Sequence, residues 1–211
     1  MLACYAGRAL PNAFPAPMTD TTTDHDLLDR ARHGDDDAFR LLVVRYEPVV
    51  AATVIGMLGR GDDADDVGQE TFIRFHRALG EFRGESTLKT YLVRIAMNLS
   101  LNALKRRRRF SLRFISRDQS QEPLGEPAVP PANADDAEER QVMVHRAVRR
   151  LNEKHRAVVV LRMFQGLSTR ETALALGVPE GTVLSRLSRA MQDLAIALGP
   201  YMKSGALTEE S

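Results

Sequence analysis

Residues 169–190 hold the clearest chemistry in this 211-residue chain. Counting Thr169 as the first position, Ala173 is fifth, Gly177 ninth and Val183 fifteenth. A small fifth residue lets two helices approach. A glycine at the ninth accepts the positive φ of a tight turn. An apolar fifteenth locks the second helix onto the first. Ser168 and Glu171 form a Ser-x-x-Glu capping box at the start, and Pro179 stops the first helix beyond Gly177. Thr182, Ser185, Arg186, Ser188 and Arg189 then face outward on the second helix. Such side chains hydrogen-bond base edges and phosphates, so the pattern implies a helix-turn-helix offered to a DNA major groove. A plain capped helix pair with a glycine turn shares some of these features; the basic outer face favours DNA.

A second basic feature is the unbroken run Lys105, Arg106, Arg107, Arg108, Arg109, suited to phosphate contact with salt-dependent affinity. Little else suggests bond-making chemistry. His25, His33, His76, His145 and His155 are scattered, with no His-Glu-x-x-His pattern, phosphate loop or nucleophile elbow. Asp62, Asp63, Asp65 and Asp66 lack the ligand spacing and central glycine of a calcium loop. The expectation is a binding protein, not an enzyme, with no metal and no cofactor.

The elements that must position these residues are helical. Net charge is +1, so the distribution of charge matters more than its sum. Tryptophan is absent, which predicts aliphatic cores. Cys4 is the only cysteine, which excludes an intramolecular disulfide and fits a reducing cytoplasm. No apolar run approaches the roughly 18 residues of a membrane helix, so no membrane insertion is expected. Residues 1–23 read as a disordered extension, with Met18 as an alternative start.

Apolar residues at three- and four-residue steps predict two helical blocks, 24–109 and 137–198, and no sheet. Residues 110–136, with Pro123, Pro127, Pro130 and Pro131, read as an extended linker, and 199–211 as a tail. In the first block, Asp35 should cap a helix that Pro48 kinks or interrupts. Asp62 or Asp63 should cap a third helix, and Ser86 or Thr87 a fourth. In the second block, Val183, Leu187, Met191, Leu194 and Leu198 should point inward from the last helix. The fold class is all-α, two small domains joined by a flexible linker.

The first block carries a further pattern. Asp66-Val67-Gly68-Gln69-Glu70-Thr71-Phe72 resembles the Asp-x-x-Gln-Glu-Thr-Phe segment of sigma region two. Phe82-Arg83-Gly84-Glu85-Ser86 and the run Tyr91 to Asn98 resemble the promoter-melting part of extracytoplasmic-function (ECF) sigma factors. The second block resembles their region four, through Gly166-Leu167-Ser168 and Gly181-Thr182-Val183 followed by Ser185 and Arg186. The motifs occur in the family's order over most of the chain, with no region-three domain between them.

The resemblance implies a sigma factor that binds core RNA polymerase through its β′ and β subunits, directs it to promoter DNA and melts the −10 element. Asp65, Asp66, Gln69 and Glu70 would form the polymerase surface; on the helix alone they also suit a solvated start that complements the dipole. Arg83, Gly84, Ser86, Thr87, Lys89, Tyr91, Arg94, Asn98, Lys105, Arg106 and Arg107 would handle the −10 element. Tyr91 sits on the apolar stripe, so packing competes with stacking on a base; the family usually has tryptophan there. Arg170, Thr182, Leu184, Ser185, Arg186, Ser188 and Arg189 would read −35. Leu184 replaces a frequent Lys or Arg and could meet a thymine methyl instead. The acidic linker could thread toward the polymerase active site or be a simple spacer. The family commonly has an anti-sigma partner, and its members are cytoplasmic. A stand-alone helix-turn-helix regulator with a sensing first block is the other reading. The arrangement of the two blocks in the free chain stays open.

Overall fold

The computed structural model describes residues 22–115 and 136–205. Cys4, Met18, the N-terminal extension, most of the linker and the end of the tail lie outside the described residues. The first half holds α1 (Asp24–Arg32), α2 (Asp36–Leu58), α3 (Asp62–Arg77) and α4 (Leu88–Ile115). The second holds α5 (Asp136–Arg150), α6 (Glu153–Val159), a π-helical turn (Val160–Phe164), α7 (Thr169–Leu176) and α8 (Glu180–Gly205). No strand occurs among the described residues.

Local chemistry sets the helix starts. Thr23 and Asp26 make a reciprocal capping box at α1. The Asp35 carboxylate accepts from the Ala38 amide at 3.0 Å. Thr87 caps α4, accepting from the Thr90 amide at 3.2 Å. For α3 the expectation of an aspartate cap is wrong. Gly61 occupies that position with no side-chain bond, and Asp62 and Asp63 fall in the first turn. There they act through the helix dipole instead.

Pro48 does not interrupt α2, which continues to Leu58. Pro48 removes a bond to the carbonyl of Val44, and both residues are on the exposed side. Water can therefore satisfy the released carbonyl, which lowers the penalty. The expectation about apolar runs also needs correction. Asp36–Leu58 is long and apolar enough to cross a membrane by length and composition. Its composition has a local cause: Leu42, Val50, Val54, Met57 and Leu58 are buried against neighbouring helices.

Two boundaries shift as well. α4 runs past Arg109 to Ile115, and α8 runs past Leu198 to Gly205. Residues 110–115 carry neither Gly nor Pro, so nothing local stops α4 there; α8 continues through Gly199 and Pro200. Met191 is 47% exposed and does not point inward, whereas Val183 and Leu194 are buried.

The two halves do not stand apart. One continuous apolar cluster runs from Leu27, Phe75 and Leu92 in the first half to Val148, Val160 and Leu161 in the second. Burial of each such side chain contributes roughly 1.5–3 kcal/mol. At the seam, α2 meets α5, α6 and the π-helical turn, and α4 meets α6 and α7. His145 lies edge-on to Phe164 in the second half, with ring centroids 5.2 Å apart. Burial, and then the charge of Arg60, lowers the His145 pKa and keeps the ring neutral.

Candidate nucleic-acid interface

The helix-turn-helix forms as its spacing implies. The Ser168 hydroxyl accepts from the Glu171 amide at 3.2 Å, and the Glu171 carboxylate accepts from the Ser168 amide at 2.8 Å. The Ser168 side chain, then its backbone, lowers the Glu171 pKa and keeps it charged. α7 ends at Gly177, whose φ of 63° and ψ of 39° are left-handed. The Gly177 and Val178 amides both donate to the Ala173 carbonyl. Ala173, Val183 and Val158 then make a small buried cluster that clamps α8 across α7.

This clamp turns the other face of α8 outward. Leu184, Ser185, Ser188 and Arg189 are exposed, and Thr182 and Arg186 are half-buried. Arg170 is exposed at the start of α7. Arg186 and Arg189 have no ion pair among the described residues, so both charges are available to an anionic ligand. Leu184 is 55% exposed amid these polar groups.

The sites in the first half are more constrained. Arg83, Gly84, Ser86 and Thr87 are exposed in the loop between α3 and α4. Gly84 has a φ of 74°. Arg32 of α1 holds this loop, donating to the Leu79 carbonyl at 3.2 Å and to the Phe82 carbonyl. Sequence reasoning missed Arg32, since its partners lie far along the chain and no local pattern marks it. Tyr91 packs on Phe82 (4.9 Å between centroids) and Phe75 (6.3 Å), with the Arg94 guanidinium 5.3 Å from its ring. Packing is thus its principal role here. Arg94 and Asn98 are exposed on the same helix, one turn apart.

Three of the expected contact residues have other partners. Lys89 donates to the Gln165 carbonyl in the second half at 2.8 Å. Arg107 is paired with Asp63 of α3. Glu70 is paired with Arg74 one turn on, at 2.8 Å. Lys105 and Arg106 are exposed, which leaves a basic end to α4. Asp65, Asp66 and Gln69 are exposed on α3. Asp65 and Gln69 also border a groove between α2 and α3 floored by Val50, Val54 and Phe72. An apolar floor with a polar, acidic rim suits a protein partner.

Comparison with known proteins bears on both halves. The profile of Sigma-70 region 2 matches residues 42–110, and that of Sigma-70, region 4 matches residues 141–194. The RNA polymerase sigma-H factor of Pseudomonas aeruginosa is 35% identical over 185 residues, 85% of this chain and 96% of that protein. The ECF RNA polymerase sigma-E factor of Escherichia coli K12 is 36% identical over 191 residues, 88% of this chain and 100% of that protein. Among solved structures, the fold resembles CnrH in complex with the cytosolic domain of CnrY. That match has a TM-score of 0.58 at 23% identity and covers 89% of this chain and 99% of the other. It also resembles the sigma factor RpoE bound to the anti-sigma factor NepR from Bartonella quintana. Here the TM-score is 0.60 at 24% identity, covering 76% and 96%.

Proposed function

The chain belongs to the ECF sigma factors of bacterial RNA polymerase, and from that premise we propose how its residues direct promoter-specific initiation. α8 enters the major groove at −35, with Arg186 and Arg189 on phosphates or guanine edges and Thr182, Ser185 and Ser188 on neighbouring groups. Arg170 anchors the start of α7 on the backbone, and Leu184 meets a thymine methyl. The exposed basic face of α8 is the observation that carries this reading.

The loop before α4 takes the −10 element. Capturing an unstacked base costs a few kcal/mol unless a pocket offsets it. Arg83, Gly84, Ser86 and Thr87 supply an exposed polar turn at a helix N-terminus, and Arg94 and Asn98 continue the strip. Lys105 and Arg106 neutralise phosphates beyond it. Asp65, Asp66, Gln69 and Glu70, with the apolar groove beside them, dock core polymerase. The chain makes and breaks no bonds itself, and it works in the cytoplasm where polymerase is. An anti-sigma protein is a further expected partner, since the two solved structures of similar fold are each described as complexes with a second protein.

The experiment is gel filtration of the purified chain with bacterial core polymerase. Co-elution is expected, and replacing Gln69 and Glu70 by alanine should weaken it while helicity is unchanged. Absence of co-elution with the unaltered chain would instead favour a stand-alone regulator. Loss of helicity in the variant would make those two residues structural.

A further inference from the structure

The loop between α3 and α4 is fastened at its two ends and open between them. Arg83, Gly84, Glu85 and Ser86 are all exposed and make no hydrogen bond or ion pair with the described residues. Downstream, the Thr87 hydroxyl accepts from the Thr90 amide at 3.2 Å and fixes the start of α4. Upstream, the Phe82 ring is buried against Tyr91, and the Phe82 amide donates to the Ala78 carbonyl at 3.1 Å. The Phe82 carbonyl is the last acceptor before the open tip, and Arg32 of α1 donates to it. The same guanidinium donates through Nε to the Leu79 carbonyl at 3.2 Å and through Nη1 to the Asp29 carboxylate at 2.9 Å. One planar group therefore spans the turn from Leu79 to Phe82 and is itself braced by a carboxylate on its own helix. Leu27 and Leu28, buried in the core, hold α1 in place beneath it.

We propose that Arg32 is a positioning residue for −10 capture, fixing the base of this loop so that Arg83 to Ser86 meet an unstacked base in a preset shape. The proposal rests on the reading that this loop takes the −10 element. Arg32 need not touch DNA; it acts through the two carbonyls. A loop that must be ordered on binding loses affinity to that ordering, and one whose base is already fixed loses less. Arginine suits the task because its rigid fork sets two acceptors in a fixed relation, whereas a lysine ammonium is a point charge on a flexible stem. A hydrogen bond from a charged donor contributes on the order of tenfold in an equilibrium, about 1.4 kcal/mol. Losing both should cost the loop tenfold or more in its capture of the preferred base.

The test uses the full chain assembled with core polymerase and two DNA pools, short randomised single strands and randomised duplexes. The unaltered chain should enrich one short motif from each. Arg32→Ala should lower the preference for the single-strand motif over its one-base variants about tenfold, and Arg32→Lys should fall between. The duplex motif, co-elution with polymerase and helicity should stay as they are. A purely structural Arg32 would lower the melting temperature and leave the single-strand preference intact, which overturns the proposal. Should alanine unfold the chain, Arg32→Lys decides alone, and an undiminished single-strand preference overturns the proposal there too. If the unaltered chain enriches nothing from the single strands, the −10 reading fails and the role of Arg32 falls with it.

Discussion

Replacing Gly177 by alanine isolates one physical term. Its backbone is left-handed, with φ 63° and ψ 39°, and a Cβ built there meets nothing within 4 Å. The penalty is therefore conformational strain alone, about 1–2 kcal/mol for an L-residue. That corresponds to a fivefold to thirtyfold rise in the unfolded fraction. For a cooperative unit of roughly 150–250 residues, as the continuous core implies, it is a fall in melting temperature of roughly 2–4 °C per kcal/mol. Asparagine tolerates this region better than alanine, so Gly177→Asn should lie between. Urea unfolding followed by helicity gives the three stabilities, read at constant slope. The control is Gly68→Ala, a helical glycine of α3 with open space around it, which should stabilise by up to about 1 kcal/mol. The reasoning is refuted if Gly177→Ala is neutral or stabilising, or if alanine and asparagine cost the same.

Other outcomes follow from the same geometry. Phe75 is fully buried between α3 and its neighbours, and Phe75→Ala should cost about 3–5 kcal/mol in urea melts. The Glu171 pKa is lowered from 4.5 by its cap bonds, so its charged form stabilises the fold above the unfolded pKa. That contribution is lost as pH falls through the lower folded value. An acid titration should therefore show α7 weakening below about pH 4.5, and Glu171→Gln should flatten this part of the curve. Arg189→Ala should weaken −35 binding, and if Arg189 contacts phosphate the slope of log affinity against log salt should fall by about 1. A salt slope and sequence preference both left unchanged would remove Arg189 from the interface.

Local signals carried much of this structure. The Ser168 and Glu171 box, the Gly177 turn and the inward Val183 are all short-range features, and each formed as its spacing implied. The outward face of α8 follows from them. What the sequence hid is what depends on distant partners. No local pattern marks Arg32, which grips the loop at Leu79 and Phe82. Lys89 looked free for DNA, yet it bonds across the seam to Gln165. Gly56 lies within α2 and Gly59 at its end, and both make room for the second half, which no spacing rule marks. Pro48 looked like a break because the rule ignores that its freed carbonyl lies on a wet face.

A two-point grip on the promoter by one polymerase-bound chain can be tested directly. Reconstituted core polymerase plus this chain, supplied with fragmented genomic DNA, yields transcripts whose 5′ ends can be mapped. Chain-dependent start sites preceded by two short shared motifs at a nearly constant separation are expected. Start sites sharing only one motif, or no transcript that depends on the chain, would contradict it.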